Sequence, residues 1–370
     1  MSGMVVPASL SIQRFRELEG PLVDVRSPGE YVKGHWPGAI NLPLFTDQER
    51  AEVGTLYKQQ GRRAAIQLGL AITGPKLAKL SQGLQECANT SPADALKLYC
   101  WRGGMRSGSV AWLADLVDLN PVLLNGGYKS YRNWVLQRFE QSWPLRLLAG
   151  RTGTGKTELL LALSQLGVAV VDLEGLAHHR GSSFGGLGMP PQPTTEHYEN
   201  HLAETLERCR KNEAQEIWLE AESSRVGRCN IPAALFRQMQ AAPIFEIRRT
   251  LDERIERLVA VYGKQGREDL QAATLRISKR LGPQRTRQAM DALKIDRWDL
   301  ACEAMLDYYD RCYDKELTRA PERRSVDLAG FDCDDAAEML LSKGVMLAGS
   351  LDHQKETLPL RSRLNEKIHG

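Results

Sequence analysis

The chain lacks the marks of an exported or membrane-inserted protein. Its opening, MSGMVVPASLSIQRF, has no basic stretch followed by an apolar run and a small-residue cleavage site, so no secretory signal is expected. No window offers the roughly 18 uninterrupted apolar residues that a membrane-spanning helix needs. Seven cysteines, scattered from Cys87 to Cys333 without a CxxC pair, match neither a disulfide framework nor a zinc site, and a reducing cytoplasm is the expected compartment. A formal charge of +3 is too small to announce a nucleic-acid binder, so local clusters must carry that argument. Internal repeats and long low-complexity segments are absent. There is no heptad seam either, which leaves a monomer as the default.

What is present suits two folded units. At 370 residues the chain exceeds one ordinary core, and 42% hydrophobic with 26% charged residues is the balance of a packed protein. The first third alternates strand-like runs with helical stretches: PLVDVR at 21–26, LKLYC at 96–100, a helical RSGSVAWLADLV, then PVLLNGG at 121–127. YKSYRNWVLQRFEQSW reads as a connecting helix, which places a boundary near residue 140. A second α/β unit opens with LRLLAG at 145–150 and continues through TELLLALSQLG, VAVVDLE, EIWLEAE and PIFEIRR. After about residue 250 the pattern turns helical, and the last twenty residues look frayed. The expected fold class is α/β, with one domain at 10–140 and a second at 141–350 whose C-terminal region is helical.

Residues Gly150-Arg-Thr-Gly-Thr-Gly-Lys-Thr157 match GxxxxGK[ST] between an apolar strand and a helix-forming run, the context this phosphate-binding loop requires. Gly150, Gly153 and Gly155 let the backbone wrap an anion with its N–H groups. The helix start adds its positive dipole end, Lys156 neutralises charge, and Thr157 can ligate Mg²⁺. Such a cradle binds di- or triphosphates, and the motif alone does not say which ester. Glu220 and Glu222 end the EIWLEAE run, where they either hold a metal-bound water or form an exposed strand end. Asp172 and Glu174 sit at a similar position after the neighbouring strand, and a Gly-rich loop then supplies His178, His179, Arg180, Ser182 and Ser183 as polar contacts for an anion or a base.

The second constellation is Cys100-Trp-Arg-Gly-Gly-Met-Arg106-Ser, directly after a strand and before a helix. A thiol at a helix N-terminus beside guanidinium groups ionises well below its ordinary pKa of about 8.5. Arg102 and Arg106 supply that charge, while Gly103 and Gly104 let the backbone turn inward. A thiolate so placed can attack a sulfane sulfur, a selenium donor or a phosphate. Cys87, Cys209, Cys229, Cys302, Cys312 and Cys333 lack such surroundings and read as packing residues.

The segment LVDVRSPGEYVKGHWPGAINLP at 22–43 resembles the rhodanese signature, with Asp24, Arg26, Glu30, Gly34, His35, Gly38, Ala39, Asn41 and Pro43 in place. One departure stands out: Arg106 lies six positions after Cys100, where sulfurtransferase rhodaneses have the arginine five positions after the cysteine. That longer loop resembles the Cdc25-type phosphatases and puts plain thiosulfate sulfurtransfer in doubt. Across nearly the whole chain the order of segments resembles the tRNA 2-selenouridine synthase family: ERAEVGTLYKQQGRRAAIQLGL, YCWRGGMRSGS, NGGYKSYR, GRTGTGKT, DLEGLAHHRGSSFG, EAESSRVGR and YYDRCYDKEL. The resemblance implies a rhodanese-like domain fused to a P-loop NTPase-like domain. It implies exchange of sulfur for selenium at C2 of the wobble thiouridine in certain tRNAs through an S-geranyl intermediate. Selenophosphate and geranyl diphosphate would be the substrates and an enzyme supplying selenophosphate a partner, with no tightly bound cofactor. By this account the P-loop cradles the diphosphate and Cys100 handles selenium.

For tRNA, the sequence offers Arg276, Lys279, Arg280, Arg285 and Arg287 within twelve residues free of acid, with Arg248 and Arg249 closing a strand and Arg180 in the Gly-rich loop. These are either a solvated basic face or a surface for the phosphate backbone. Trp101, Phe184 or Tyr198 could stack on a flipped base. Rival readings are an NTP-driven sulfurtransferase or kinase, a Cys-dependent phosphatase, and a non-enzymatic RNA-binding switch, for which Cys100→Ser would be silent.

Overall fold

The computed structural model describes residues 7–317 and 323–343, with backbone alone at 312 and 314–317. The frayed terminus and the domain end at 350 fall outside the described residues, as does the side chain of Cys312. The N-terminal half carries the strands β1 (Ala8–Leu10), β2 (Leu22–Asp24), β3 (Ile40–Asn41), β4 (Ala95–Tyr99) and β5 (Asn120–Leu124) in one parallel sheet of order β1-β5-β4-β2-β3. The C-terminal half carries β6 (Leu145–Ala149), β7 (Val170–Val171), β8 (Ile217–Glu220), the antiparallel pair β9 (Arg225–Val226) and β10 (Cys229–Asn230), β11 (Ile244–Arg248) and β12 (Arg323–Asp327). Apart from that pair these strands form a second parallel sheet, β12-β11-β6-β8-β7. Parallel neighbours need long crossovers, and the intervening helices supply them.

The central strands show why the sequence reads as apolar runs. All five residues of β4, ALKLY, are buried, as befits a strand covered on both faces. Its one charged residue, Lys97, donates to the Leu18 carbonyl at 2.7 Å, and burial lowers its pKa to about 8. A helix of 27 residues, Asp47–Thr73, starts with Thr46 and Glu49 in a reciprocal cap and is broken at Gly61, where φ is 84°. After residue 250 the expected helices form as Leu251–Tyr262, Arg267–Arg276, Ser278–Leu281, Pro283–Lys294 and Trp298–Leu317. The wholly helical reading needs one correction: RRSVD pairs along β11 as the edge strand β12. Its charged residues hid it, because an edge strand with exposed side chains carries no apolar run.

The connecting helix, Gly127–Phe139, does more than link the halves. Its Tyr131 and Trp134 stack with Trp36 in a chain of aromatic rings, and the same apolar cluster continues into Tyr198, Leu202 and Leu206 of the helix Thr195–Lys211. Polar contacts cross the same seam. Arg132 pairs with Glu199, Arg16 with Glu204, and the buried Asn200 donates to the Tyr128 hydroxyl and the His35 carbonyl, both at 2.8 Å. The two sheets are therefore fastened through one continuous core.

Candidate functional site

Two glycine-rich loops stand at the carboxyl ends of the two middle strands, β4 and β6, the edge at which open α/β sheets bind ligands. In the first, Cys100 directly follows β4 and the helix Met105–Leu116 begins just beyond it. Cys100 is 3% exposed, with its Sγ 3.1 Å from the Ser107 Oγ. The segment Gly126–Gly127 presses against the loop: the Tyr128 N–H donates to the Cys100 carbonyl (2.8 Å) and the Lys129 N–H to that of Trp101 (3.0 Å). A Cβ on Gly127 would lie 2.3 Å from the Cys100 oxygen, so only glycine permits this approach.

The rhodanese-like signature residues build the wall of the bowl. Arg26, essentially fully buried, grips Asp24 with its Nη2 at 2.6 Å, caps the Gly34 carbonyl at 2.8 Å, and lies 3.7 Å over the Tyr128 ring. Removing either partner of this buried pair strands a charge, at a cost of about 3–5 kcal/mol. Arg106 is engaged by Glu30, Nη1 to Oε2 at 2.6 Å. Burial alone would raise the Glu30 carboxyl, but the Arg106 guanidinium, helped by Arg50, holds it below its usual value. Arg102 and Trp101 are exposed at the loop's surface. Cys87, Cys209 and Cys229 are buried packing residues, and burial pushes the thiols of Cys209 and Cys229 up to about 11 and that of the half-buried Cys302 to about 12.

In the second loop, Gly153 and Gly155 adopt φ of 85° and 79°, and Lys156 opens the helix Lys156–Gln165. Carbonyls of the loop are held from behind, that of Thr152 by Arg254 (2.9 Å) and that of Thr154 by Arg249 (3.2 Å). Arg254 in turn pairs with Asp310 at 2.6 Å. Lys156 Nζ rests on the Gly150 carbonyl at 2.9 Å, and Thr157 Oγ1 donates to Glu174 Oε2 at 2.8 Å. The loop opens on a cleft of about 2010 Å³, counting its mouth, whose walls include Asp172, Glu174, Glu222, Arg180, Arg257 and Arg280.

The acidic candidates separate. Glu222 faces the cleft. Asp172 also lines it, but its Oδ1 caps the helix Leu173–Ala177 by accepting from the Gly175 N–H at 2.7 Å. Glu220 is fully buried behind the site and accepts from the Leu173 N–H at 3.0 Å. Burial, reinforced by Asp172 and Glu174, pushes its carboxyl well above the ordinary range, so it neither forms an exposed strand end nor faces the cleft. Glu174, set beside Asp172 in the sequence, is the carboxylate that touches the loop, and burial raises it against the pull of Lys156 and Thr157.

The basic candidates also separate. Arg276, Lys279, Arg280 and Arg287 are exposed, and Arg280 reaches the cleft. Arg285 pairs with Asp307, Arg248 with Glu246, and Arg180 donates to the Leu187 carbonyl at 3.0 Å while lining the cleft. Arg249 requires correction: its side chain is 2% exposed and spent on the carbonyls of Thr154, Leu328 and Phe331. Phe184 and Tyr198 are core residues, 6% and 0% exposed, so they do not offer a face to a base. Of the three stacking candidates Trp101 keeps an exposed ring. Among the described residues no helix is long and apolar enough to span a membrane, and no group of three or more His, Cys, Asp or Glu is arranged to hold a metal.

A rhodanese-type thiol bowl and a P-loop cradle in one chain define a two-domain protein of the rhodanese–P-loop class. Family models agree on both halves: a rhodanese-like domain at residues 11–133 and a tRNA 2-selenouridine synthase AAA domain at 143–331. The tRNA 2-selenouridine synthase of Marinobacter nauticus is 37% identical over 336 residues, covering 81% of this chain and 89% of its own length. Those of Shewanella denitrificans (34% identical, 87% of this chain and 95% of its own) and Hahella chejuensis (39%, 82% and 87%) are similar throughout. The chain belongs to the tRNA 2-selenouridine synthase family.

Proposed function

We propose that this chain is an enzyme that replaces sulfur by selenium at C2 of a wobble 2-thiouridine in tRNA, consuming geranyl diphosphate and selenophosphate. The observation that carries the reading is the pairing of two anion bowls at equivalent strand ends, one holding a thiol and the other a lysine. A thiocarbonyl sulfur is a poor leaving group, and alkylation improves it. In the first step the sulfur bonds to C1 of the geranyl group, the C1–O bond breaks toward diphosphate, and N3 releases its proton. Selenium then bonds to C2, the C2–S bond breaks, geranylthiol departs with a proton, and water takes the phosphate from selenium.

In this scheme Lys156, the amides of the Gly150–Thr157 loop and the helix start stabilise charge developing on diphosphate. Cys100 handles the selenium donor in a bowl whose larger loop admits a phosphorus-bearing anion. An accompanying Mg²⁺ would find Thr157 and Glu174 as protein oxygens and take the rest of its shell from substrate and water, the habit of this cation. The exposed Arg276, Lys279, Arg280 and Arg287 would meet the tRNA backbone, with Trp101 as a stacking ring at the thiol bowl.

The test is nucleoside mass spectrometry of thiolated tRNA incubated with the protein and each donor alone or both together. Geranylthiouridine with geranyl diphosphate alone, and selenouridine with both donors, is the expected result. Unchanged nucleosides accompanied by nucleotide hydrolysis would replace this reading with an NTP-driven sulfurtransferase.

A further inference from the structure

Asn200 belongs to the P-loop half, on the helix Thr195–Lys211, and is wholly out of contact with solvent. A carboxamide brings two N–H donors and an acceptor oxygen, and a buried one left short of partners is costly. Here both ends are used. Its Nδ2 donates to the Tyr128 hydroxyl and to the His35 carbonyl, both at 2.8 Å, and its Oδ1 accepts from the Arg132 guanidinium. All three partners lie in the rhodanese-like segment 11–133, and among the described residues no bond of this side chain turns toward the P-loop.

Those partners back the bowl around Cys100. The Tyr128 N–H holds the Cys100 carbonyl at 2.8 Å, and its ring lies 3.7 Å beneath the Arg26 guanidinium. Burial raises the Tyr128 hydroxyl, which keeps its proton and donates it to Glu196 Oε1 at 3.0 Å. His35 follows Gly34, whose carbonyl Arg26 caps, and a Cβ on Gly34 would come within 2.9 Å of both the Tyr128 hydroxyl and Glu196. One side chain of the second half therefore fixes two points of the bowl's wall in the first. Adhesion across the seam comes from Trp36, Tyr131, Tyr198 and Leu202, but apolar contact has no direction. A fully bonded polar group in a dry seam accepts one arrangement, so what Asn200 adds is position. We infer that Asn200 is a positioning residue for the selenium step: acting through Tyr128, it holds the Cys100 loop in its reactive shape from the other half of the chain. The inference rests on the reading above in which Cys100 handles the selenium donor, and it makes the thiol site incomplete without the P-loop half.

The experiment uses the full chain carrying Asn200→Leu, which keeps the shape and removes every bond, or Tyr128→Phe, which keeps ring and backbone and removes the hydroxyl. Selenouridine is measured from tRNA already bearing the S-geranyl group at saturating selenophosphate, and geranyl transfer from geranyl diphosphate on thiolated tRNA. A misplaced reacting group costs turnover steeply, so kcat for selenium transfer should fall about tenfold in each variant while geranyl transfer stays within about twofold of native. Both variants break the same bond, so the loss in the double variant should fall short of the product of the single losses. A second readout needs no substrate. As the loop loosens, iodoacetamide should alkylate Cys100 about fivefold faster in the folded variants, while the buried Cys87, Cys209 and Cys229 keep their native rates. All four thiols quickening together, or selenium and geranyl transfer falling in step, would overturn the proposal in favour of a general contribution to stability. Native Cys100 alkylation with native selenium transfer in Tyr128→Phe would overturn it outright, even where Asn200→Leu failed to fold. A native chain that makes no selenouridine would overturn the selenium reading and the step named here, while a rise in alkylation confined to Cys100 would keep Asn200 as the residue that positions the thiol.

Discussion

Cys100 and Lys156 occupy matching stations, each in a glycine-rich turn that leaves the middle strand of a five-stranded parallel sheet and runs into a helix. The turns differ in how they are enclosed. Around Cys100 the chain closes in: Gly127 and Tyr128 abut the loop, Glu30 holds Arg106, and the thiol is almost without solvent contact. Around Lys156 the backing arginines hold the loop from behind and its front faces a wide cleft lined by Arg180, Arg257 and Arg280. A small anion and a single reactive atom suit the first. A larger polyanion suits the second. In the proposed reaction the same backbone device serves a nucleophile in one half and electrostatic stabilisation in the other.

The sharpest way to break that contrast is to exchange the reactive atom. Cys100→Ser keeps the shape of the bowl and should lower selenium incorporation by about 10³-fold or more while geranylthiouridine accumulates, read by nucleoside mass spectrometry. Lys156→Ala should lower geranyl transfer by about 10²-fold, the usual loss when one preorganised charge partner is removed. Glu30→Gln frees Arg106 without touching the P-loop. It should reduce selenium incorporation by about tenfold and leave initial rates of geranylation within experimental error. Losing the same charge from four sites at once, by Ala at Arg276, Lys279, Arg280 and Arg287, should weaken tRNA binding and flatten its dependence on salt by up to about 0.9 in log–log slope per lost phosphate contact.

The smallest effect concerns the seam between the halves. His35, His197 and His201 lie ring against ring there, with Tyr31 stacked on His35. Burial, then the neighbouring histidines His35 and His201, lower His197 from 6.5 to about 4. A depressed folded-state pKa means that the unfolded chain binds more protons between these values, so stability present above pH 6.5 is lost as pH falls toward 4. The melting temperature should fall across that window, and less steeply in His197→Gln, with circular dichroism as the readout.

How much of this was legible in the sequence follows from how locally each feature is encoded. Both loops could be read outright, because glycines, a strand end and a helix start within eight residues specify an anion bowl by themselves. The middle strands were equally plain as apolar runs. Features assembled over distance were not. Arg249 looked like an available cation because nothing in IRRT announces that three carbonyls, two of them about eighty residues away, will take its guanidinium. The sequence leaves Glu220 open between holding a metal-bound water and forming an exposed strand end, because its burial depends on the packing of the Leu173 helix. Phe184 and Tyr198 carry the right rings but meet cores made by other elements. The cleft before the P-loop draws on residues from Gly150 to Tyr313, so no short segment could disclose it.

The division of labour between the loops is tested most directly by giving Lys156→Ala two substrates, thiolated tRNA and tRNA already carrying the S-geranyl group, with geranyl diphosphate and selenophosphate present in both. The account predicts almost no selenouridine from the first and a native rate from the second. Equal failure on both substrates, or equal success, would contradict it.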